Sequence, residues 1–285
     1  MNNREEKFKE IIEELEGLDN TKYDYFHEAP KLIPSRKAII SILKNIQCLM
    51  FPDYFHLDVN RGMTPIEILD GLYHKLKSQI LAAHSFCSDC KSEGVDIEGE
   101  TLAVISKIPE IKEKLMKDVQ AIYEGDPAAR APEEVILSYP GFYAISIYRI
   151  AHEFYKLKIP YIARLMTEFA HEKTGIDIHA GATIGDYFFI DHGTGIVIGE
   201  TTTIGDHVKI YQGVTLGAKS FELDEDGNPI KGIKRHPDIG NNCIIYANAT
   251  ILGGNTKIGD GCIIGGNVWL THSVPAGEVV YYNAK

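Results

Sequence analysis

Between Ile178 and Val274 an aliphatic residue recurs about every sixth position along the chain. Many of these residues are followed by Gly and then by Asp, Asn or Gly, as in the Ile184-Gly185 step. This pattern is typical of a hexapeptide β-helix, in which the aliphatic side chains fill the interior of each coil. Gly and Asx residues suit the corners because they adopt positive φ easily. An ordinary β-sandwich is the alternative, but it requires period-two alternation and hairpin turns.

The first 174 residues follow a helical pattern instead of the six-residue repeat. Four apolar residues near the start lie at helical spacing, namely Phe8, Ile11, Ile12 and Leu15. Residues 64–67 form a capping box with proline at the first helical position, which predicts a helix to about Phe86. Further helices are predicted after Ser35, Pro109, Pro140 and Pro160. Because the periodicity changes after Thr174, we predict an α+β chain: an α-helical domain at 1–174 and a parallel β-helix domain at 175–285.

Two irregular points interrupt the repeat. The step from Ile190 to Ile198 spans eight residues and holds Asp191 and His192. At 218–238 the chain leaves the repeat for a polar, Gly-rich excursion. The excursion carries several Lys, Arg and His residues, namely Lys219, Lys231, Lys234, Arg235 and His236. A long loop inside a tight repeat predicts a binding loop, and a disordered insertion is the alternative.

His192 is the strongest candidate for chemistry because it follows Asp191 at the irregular step. Asp177 lies less than one coil earlier, so its side chain and that of His192 can be neighbours on adjacent coils. A histidine oriented by a carboxylate is the basic unit of general-base catalysis. His179 is near enough in sequence to join this cluster, and a merely structural or exposed corner histidine is the alternative.

Arg235 and His236 close the excursion, and we interpret them as a cationic pair. An arginine fork suits a carboxylate ligand because it donates two parallel hydrogen bonds. Asp126 follows an acidic helix, where its alternative role is to cap the turn that comes next.

Composition limits the class of protein. The chain has 285 residues and a formal net charge of -11, which argues against a general nucleic-acid binder. Its first residues are charged and no apolar run approaches about 18 residues, so neither a signal peptide nor a membrane span is expected. Five cysteines, few and odd in number, favour reduced thiols and a cytoplasmic location. Cys87 and Cys90 form a lone CxxC, so no metal site is predicted.

Four segments together resemble serine O-acetyltransferases: GDPA at 125–128, DIHAGATIG at 177–185, IDHGTGIVIGET at 190–201 and RHPDIG at 235–240. Hexapeptide repeats alone imply only the wider acyltransferase superfamily. The DH-x-TG-x-V-x-GET block at 191–201, combined with RHP at 235–237, is specific to this family. Its members make O-acetylserine from L-serine and acetyl-CoA, the committed step toward cysteine. The resemblance runs from about Gly125 to Val274 and implies the same reaction here.

The resemblance also implies residue roles. His192 is implied to be the general base that takes the proton of the serine hydroxyl, supported by Asp177. The residues implied to bind the substrate are Arg235 and His236 for the carboxylate and Asp126 and Asp191 for the ammonium group. The hydroxyl is implied to attack the thioester directly, without an acyl-enzyme. Acetyl-CoA is thus a co-substrate, and no permanently bound cofactor is expected.

The family implies further a left-handed coil and a homotrimer or dimer of trimers, with active sites between subunits. Gly217, Ala218 and Lys219 replace the usual Gly-Gly-Thr of the family and are the expected CoA contacts. Many members continue into a flexible tail ending in Ile, which docks into cysteine synthase. This chain stops at Lys285, so no tight complex with cysteine synthase is expected, nor a nucleic-acid or membrane partner.

Three other functions compete with this interpretation. An acyl-CoA transferase of the same fold acting on a sugar or an antibiotic would share the coils but would not need Arg235 or Asp126. A γ-class carbonic anhydrase needs three zinc-binding histidines, two of them five apart, and no two of the eleven histidines here have that spacing. A non-enzymatic β-helix scaffold gives no reason to place charged residues at the two irregular points.

Overall fold

A computed structural model describes residues 3–18, 32–87 and 94–282. The helices of this part are α1 Asn3–Glu16, α2 Arg36–Met50, α3 Pro65–Phe86, α4 Ile97–Ser106, α5 Ile108–Gly125, α6 Pro132–Ser138, α7 Pro140–Lys156 and α8 Ile162–Thr174, with a 3₁₀ turn at Asp58–Asn60. Cys90 and the last three residues, on which the tail prediction depends, lie outside the described residues. None of the described helices is long and apolar enough to cross a membrane.

Short parallel strands follow the helices. They are β1 Asp177–Ile178, β2 Thr183–Ile184, β3 Phe189–Asp191, β4 Val197–Ile198, β5 Thr203–Ile204, β6 Lys209–Tyr211, β7 Thr215–Gly217, β8 Asp238–Ile239, β9 Ile244–Ile245, β10 Thr250–Leu252, β11 Lys257–Ile258, β12 Ile263–Ile264, β13 Trp269–Leu270 and β14 Val279–Val280. Successive strands enter three different sheets in turn, ordered β1-β4-β7-β10-β13, β2-β5-β8-β11 and β3-β6-β9-β12-β14. We call these the first, second and third faces. The predicted parallel β-helix is confirmed.

The six-residue repeat stacks in register along each face. On the first face Ile178 lies beside Ile198, which lies beside Leu216, and all three side chains are buried. One coil cannot bury its own aliphatic row, so stacking on the next coil creates the core. The corners between the third and first faces take positive φ, as at His192 with 59° and Asn248 with 60°. Asn, His and Gly occupy these corners because they adopt the left-handed region most readily.

The helical predictions are confirmed at several points. Ser35 caps α2, and the Thr64 capping box opens α3, which ends at Phe86. Helices α4 and α6 were not predicted, since their short apolar patterns carry little periodicity. The helices end at Thr174, where Gly175 takes the left-handed conformation with φ 68°. The division into two domains stays a prediction, because one hydrophobic core runs through the helices and the coils.

A buried ion pair docks the helices on the first coil. The Arg149 guanidinium on α7 contacts the Asp118 carboxylate on α5 at 2.5 Å, and both side chains are nearly inaccessible to solvent. Arg149 also donates to the Gly185 carbonyl at 2.8 Å, and Asp118 accepts from the Phe188 N–H at 2.9 Å. Because Asp118 and Arg149 each also bond to the β-helix backbone, the pair fixes α5 and α7 relative to the coils.

The cysteine prediction needs a correction. Cys48, Cys243 and Cys262 are free and buried, as expected for reduced thiols. Cys87 is disulfide-bonded, contrary to the expectation of reduced thiols throughout. In the described ranges, no three His, Cys, Asp or Glu side chains cluster as metal ligands would.

Candidate active site

The predicted site residues fall into two groups at different corners of the β-helix. Asp191 ends β3, and His192 begins the corner between the third and first faces. Glu200 and Thr201 lie at the next corner, between the first and second faces, and the chain segment holding Arg235 and His236 leads into β8 beside them. We call the first group, with Asp126, Tyr139 and Lys209, the histidine corner. The second group, with Tyr155, is the arginine corner.

Asp126 reaches the histidine corner from the C-terminal end of α5. Its Oδ1 accepts from the Ala128 N–H at 2.8 Å, and its Oδ2 accepts from the Tyr139 hydroxyl at 2.7 Å. These two hydrogen bonds lower the pKa of Asp126, against the opposing effect of burial. Asp126 therefore caps the following turn, as its alternative role predicted, and stays an ionised carboxylate close to Lys209 and His192.

Lys209 on β6 connects the C-terminal end of α5 to the β-helix. The sequence analysis did not predict this residue. Its Nζ donates to the Gly125 carbonyl at 2.8 Å and lies 3.9 Å from Asp191 Oδ2. The ammonium also lies over the Phe189 ring, 4.3 Å from the centroid, and over the Tyr211 ring at 4.9 Å. Lys209 thereby holds the segment that carries Asp126 against the strand that carries Asp191.

His192 is open to solvent in the single chain. Its side chain is 72% exposed, and its Nε2 lies 3.7 Å from Asp191 Oδ1, too far for a hydrogen bond. The loop that follows His192 packs one rung from Asp177, since Gly195 donates to the Gly175 carbonyl at 2.8 Å. Among the contacts of the described residues, none joins the Asp177 carboxylate to His192. The predicted dyad of His192 and Asp177 therefore stays a prediction.

The arginine corner is closed by hydrogen bonds within the chain. Arg235 Nη2 donates to Glu200 Oε2 at 2.6 Å, and the Tyr155 hydroxyl on α7 donates to Glu200 Oε1 at 2.9 Å. Burial raises the pKa of Glu200, but the hydrogen bonds from Arg235 and Tyr155 outweigh it, so the net shift is downward. Glu200 is thus a carboxylate held on both oxygens. Sequence reasoning placed it in a motif without giving it a role.

His236 is neutral, which corrects the interpretation of a cationic pair. The Thr201 hydroxyl oxygen accepts from the Arg235 and His236 N–H groups, at 3.0 and 3.1 Å, so its own proton points to His236 Nδ1 at 2.9 Å. Nδ1 accepts from the Thr201 N–H as well, at 3.0 Å. Burial and the neighbouring Arg235 charge lower the pKa of His236 to about 4. The proton of the neutral ring is therefore on Nε2, which can donate to a ligand.

Two glycines, Gly199 and Gly181, leave the space that the side chains of the arginine corner occupy. A Cβ on Gly199 would lie 2.3 Å from His236 Nε2, so the imidazole packs directly on the backbone there. A Cβ on Gly181 would lie 2.7 Å from Tyr155 Cζ and 2.9 Å from Glu200 Cγ. Gly199 follows Ile198 in the six-residue repeat, so the sequence indicates its role in the turn and not its contact with His236.

The predicted CoA contacts lie at the far side of the arginine corner. The Gly217 carbonyl at the end of β7 accepts from the Gly253 N–H at 3.0 Å. Lys219 lines a cavity of about 310 Å³ together with Phe221, Lys234 and Gly253. Lys234 already bonds to the Thr201 carbonyl at 2.5 Å and to Asp238 at 2.6 Å. Within the described residues Lys219 makes no ion pair, so its ammonium can contact an anionic ligand in this cavity.

Comparison with known proteins identifies relatives of the chain. The family model described as serine acetyltransferase, N-terminal, matches residues 75–146. The plasmid serine acetyltransferase of Synechococcus elongatus is 45% identical over 260 residues, covering 87% of this chain and 81% of the relative. The serine acetyltransferase of Bacillus subtilis is 45% identical over 179 residues, covering 60% of this chain and 78% of that protein.

Solved structures agree with these relatives. Entamoeba histolytica serine acetyltransferase 1 in complex with L-cysteine superposes with a TM-score of 0.74 at 36% identity, covering 94% of both chains. Isoform 3 from the same organism, in complex with cysteine, superposes with a TM-score of 0.70 at 33% identity, covering 93% of this chain and 89% of that one. Helices followed by a hexapeptide β-helix, with these relatives, define an acyltransferase. The chain belongs to the serine acetyltransferase family.

Proposed function

We propose that the chain transfers the acetyl group of acetyl-CoA to the hydroxyl of L-serine, giving O-acetylserine and CoA, the first step of cysteine biosynthesis. The observation that carries this proposal is the division of the charges between the two corners. The arginine corner offers the Arg235 guanidinium and the His236 Nε2–H to a carboxylate. The histidine corner offers Asp126 and Asp191 to an ammonium group. An amino-acid substrate needs a partner for its carboxylate and another for its ammonium group, whereas a sugar needs neither.

In the proposed reaction His192 is the general base. It takes the proton of the serine hydroxyl while the hydroxyl oxygen attacks the thioester carbonyl carbon, and the Asp177 carboxylate stabilises the imidazolium that forms. The tetrahedral intermediate then releases the CoA thiolate, which regains a proton from the imidazolium. Transfer is direct, which agrees with the burial of the free thiols of Cys243 and Cys262 inside the coils.

We propose that CoA binds along Gly217, Ala218 and Lys219 as a co-substrate. The free ammonium of Lys219 suits a phosphate, and the adjoining cavity of about 310 Å³ gives the pantetheine chain a surface to follow. The backbone N–H groups at the end of β7 supply further donors. No other cofactor is required by this mechanism.

The separation of the two corners supports an active site between subunits of a homotrimer or dimer of trimers. Asp126 interacts electrostatically with Lys209 and His192, whereas His236 interacts with Arg235, Glu200, Lys234 and His179. The first face lies between the two corners and exposes Val197 at 38% and Trp269 at 67%. A second copy packed along this face would cover these side chains and bring its histidine corner to the arginine corner of the first.

A thioester-cleavage assay tests the proposal. Purified protein is mixed with acetyl-CoA and either L-serine or a panel of sugars, and release of the CoA thiol is measured. We expect release of the CoA thiol with L-serine and none with any of the sugars. Turnover with a sugar but not with serine would contradict the proposal and favour a sugar acyltransferase. Light scattering on the same sample should give a mass of three or six chains of 31.8 kDa.

A further inference from the structure

We propose that Glu200 is a positioning residue for Arg235, and that Tyr155 of α7 in turn holds Glu200. This inference rests on the proposed function, because it assigns Arg235 to the substrate carboxylate. The three side chains form a chain of hydrogen bonds that starts in the helices, at the Tyr155 hydroxyl, and ends at the Arg235 guanidinium. We call this the Tyr155–Glu200–Arg235 chain.

The guanidinium keeps enough donors for a substrate. Arginine has five N–H groups, of which Glu200 takes one on Nη2 at 2.6 Å and the Ile233 carbonyl takes one on Nη1 at 3.4 Å. Five minus two leaves three, and a carboxylate binds an arginine fork through two parallel hydrogen bonds. Glu200 therefore orients the fork without using it up.

Glu200 has little freedom to move away when a ligand arrives. Both of its oxygens are occupied, one by Arg235 and one by Tyr155. Its Cγ and the Tyr155 ring also lie close over Gly181, where no side chain fits beneath them. Because these hydrogen bonds lower its pKa, Glu200 remains a carboxylate and a continuous partner for the guanidinium.

The serine KM of a Glu200 variant distinguishes two roles for Glu200: positioning Arg235, or competing with the substrate carboxylate for it. If Glu200 only competes with the substrate carboxylate, its replacement by a neutral amide frees Arg235 and lowers the KM for serine. If Glu200 positions Arg235, the same replacement lets the guanidinium move and raises that KM. Since only binding is affected, kcat and the KM for acetyl-CoA stay near the wild-type values in the second case.

The test compares Glu200→Gln and Tyr155→Phe with the wild-type oligomer in steady-state assays. We expect the serine KM to rise about three- to five-fold for Glu200→Gln, the factor that a partly exposed ion pair contributes, and about two-fold for Tyr155→Phe. The matched controls are Glu110→Gln, which removes an exposed ion pair with Lys107 at 2.8 Å, and Tyr123→Phe on an exposed face of α5. A serine KM that falls or stays constant in Glu200→Gln would overturn the proposal.

A double variant makes the test specific for action through Arg235. In an Arg235→Ala background, Glu200→Gln should change the serine KM no further. An additional increase would show that Glu200 meets the substrate itself and overturn its positioning role. Tyr155→Phe keeps the ring volume and so carries the test if Glu200→Gln does not fold. Absence of serine turnover in the wild-type protein would instead reject the proposed function, independently of these variants.

Discussion

The two corners of the candidate site differ in how completely the single chain satisfies them. In the arginine corner Glu200, Thr201 and His236 all have partners within the chain, and Arg235 is oriented before any ligand arrives. In the histidine corner His192 is 72% exposed, and its nearest ion-pair partner is too far for a hydrogen bond. Preorganised donors bind a ligand without the cost of ordering them. In the open corner, in contrast, no hydrogen bond within the described residues orients the His192 ring.

Both corners nevertheless depend on the same helices. Helix α5 brings Asp126 to the histidine corner, and α7 brings Tyr155 to the arginine corner. The buried pair of Asp118 on α5 and Arg149 on α7 fixes the two helices to the first coil. The comparison therefore predicts which changes affect one corner and which affect both.

The largest expected effect is the loss of the general base in the histidine corner. His192→Asn should lower kcat by about 10²–10⁴-fold, the usual contribution of general-base catalysis. Asparagine is chosen because Asn248 and Asn267 take the same positive φ at equivalent corners, so the fold should remain. The measurement is kcat at neutral pH with thermal unfolding as the check on folding.

His207→Asn is the matched control for this variant. His207 also takes positive φ, at 56°, but it lies at another corner, where it stacks on Tyr187 at 4.3 Å. Its kcat should equal that of the wild-type protein. A His192→Asn variant that keeps near-wild-type kcat would remove His192 from the mechanism and leave the histidine corner without a base.

Breaking the buried Asp118–Arg149 ion pair, on which both corners depend, should lower the free energy of unfolding of the chain. Arg149→Met leaves the buried Asp118 carboxylate without its partner, which typically lowers the free energy of unfolding by about 3–5 kcal/mol. Arg36→Met is the control, since its ion pair with Glu172 has the same 2.5 Å separation but is about half exposed to solvent. Chemical denaturation measures both. Equal losses of stability would contradict the role of Arg149 as a buried anchor.

Loss of Arg235 should affect only substrate binding at the arginine corner. A charge-assisted hydrogen bond contributes roughly 1.5–3 kcal/mol, so Arg235→Ala should raise the serine KM by about ten-fold or more. The KM for acetyl-CoA should hardly change. Steady-state kinetics with each substrate varied in turn makes the measurement, and the exposed Arg61→Ala is the control. A change confined to the KM for acetyl-CoA would assign Arg235 to the acetyl-CoA site.

The smallest expected effect is a pH dependence of stability that comes from His236. The pKa of His236 is lowered to about 4 in the folded chain, whereas an unfolded histidine titrates near about 6.5. Between these values the unfolded state binds more protons, so stability falls as the pH falls from 6.5 to 4. His236→Gln should lose less stability over this window in thermal unfolding. An identical pH dependence in both proteins would mean that the folded chain does not hold His236 neutral.

The amino-acid sequence alone predicts the architecture of this protein because its repeat is local. An aliphatic residue every six positions and Gly or Asx at the corners require only neighbouring coils to be satisfied, and the strands follow in register. The capping box at Thr64 is local in the same way. The motifs around His192 and Arg235 identified the family for a different reason, since they resemble a known pattern.

Only the tertiary structure decided how the site residues are arranged. Tyr155 meets Glu200 across 45 positions of the chain, and Lys209 reaches the Gly125 carbonyl across 84, so no local pattern could relate them. The neutral state of His236 depends on burial and on the nearby Arg235 charge, and burial cannot be read from a count of charges in the sequence. Local periodicity determines where each coil turns, whereas the environment of a titratable side chain is set by the elements that packing brings to it.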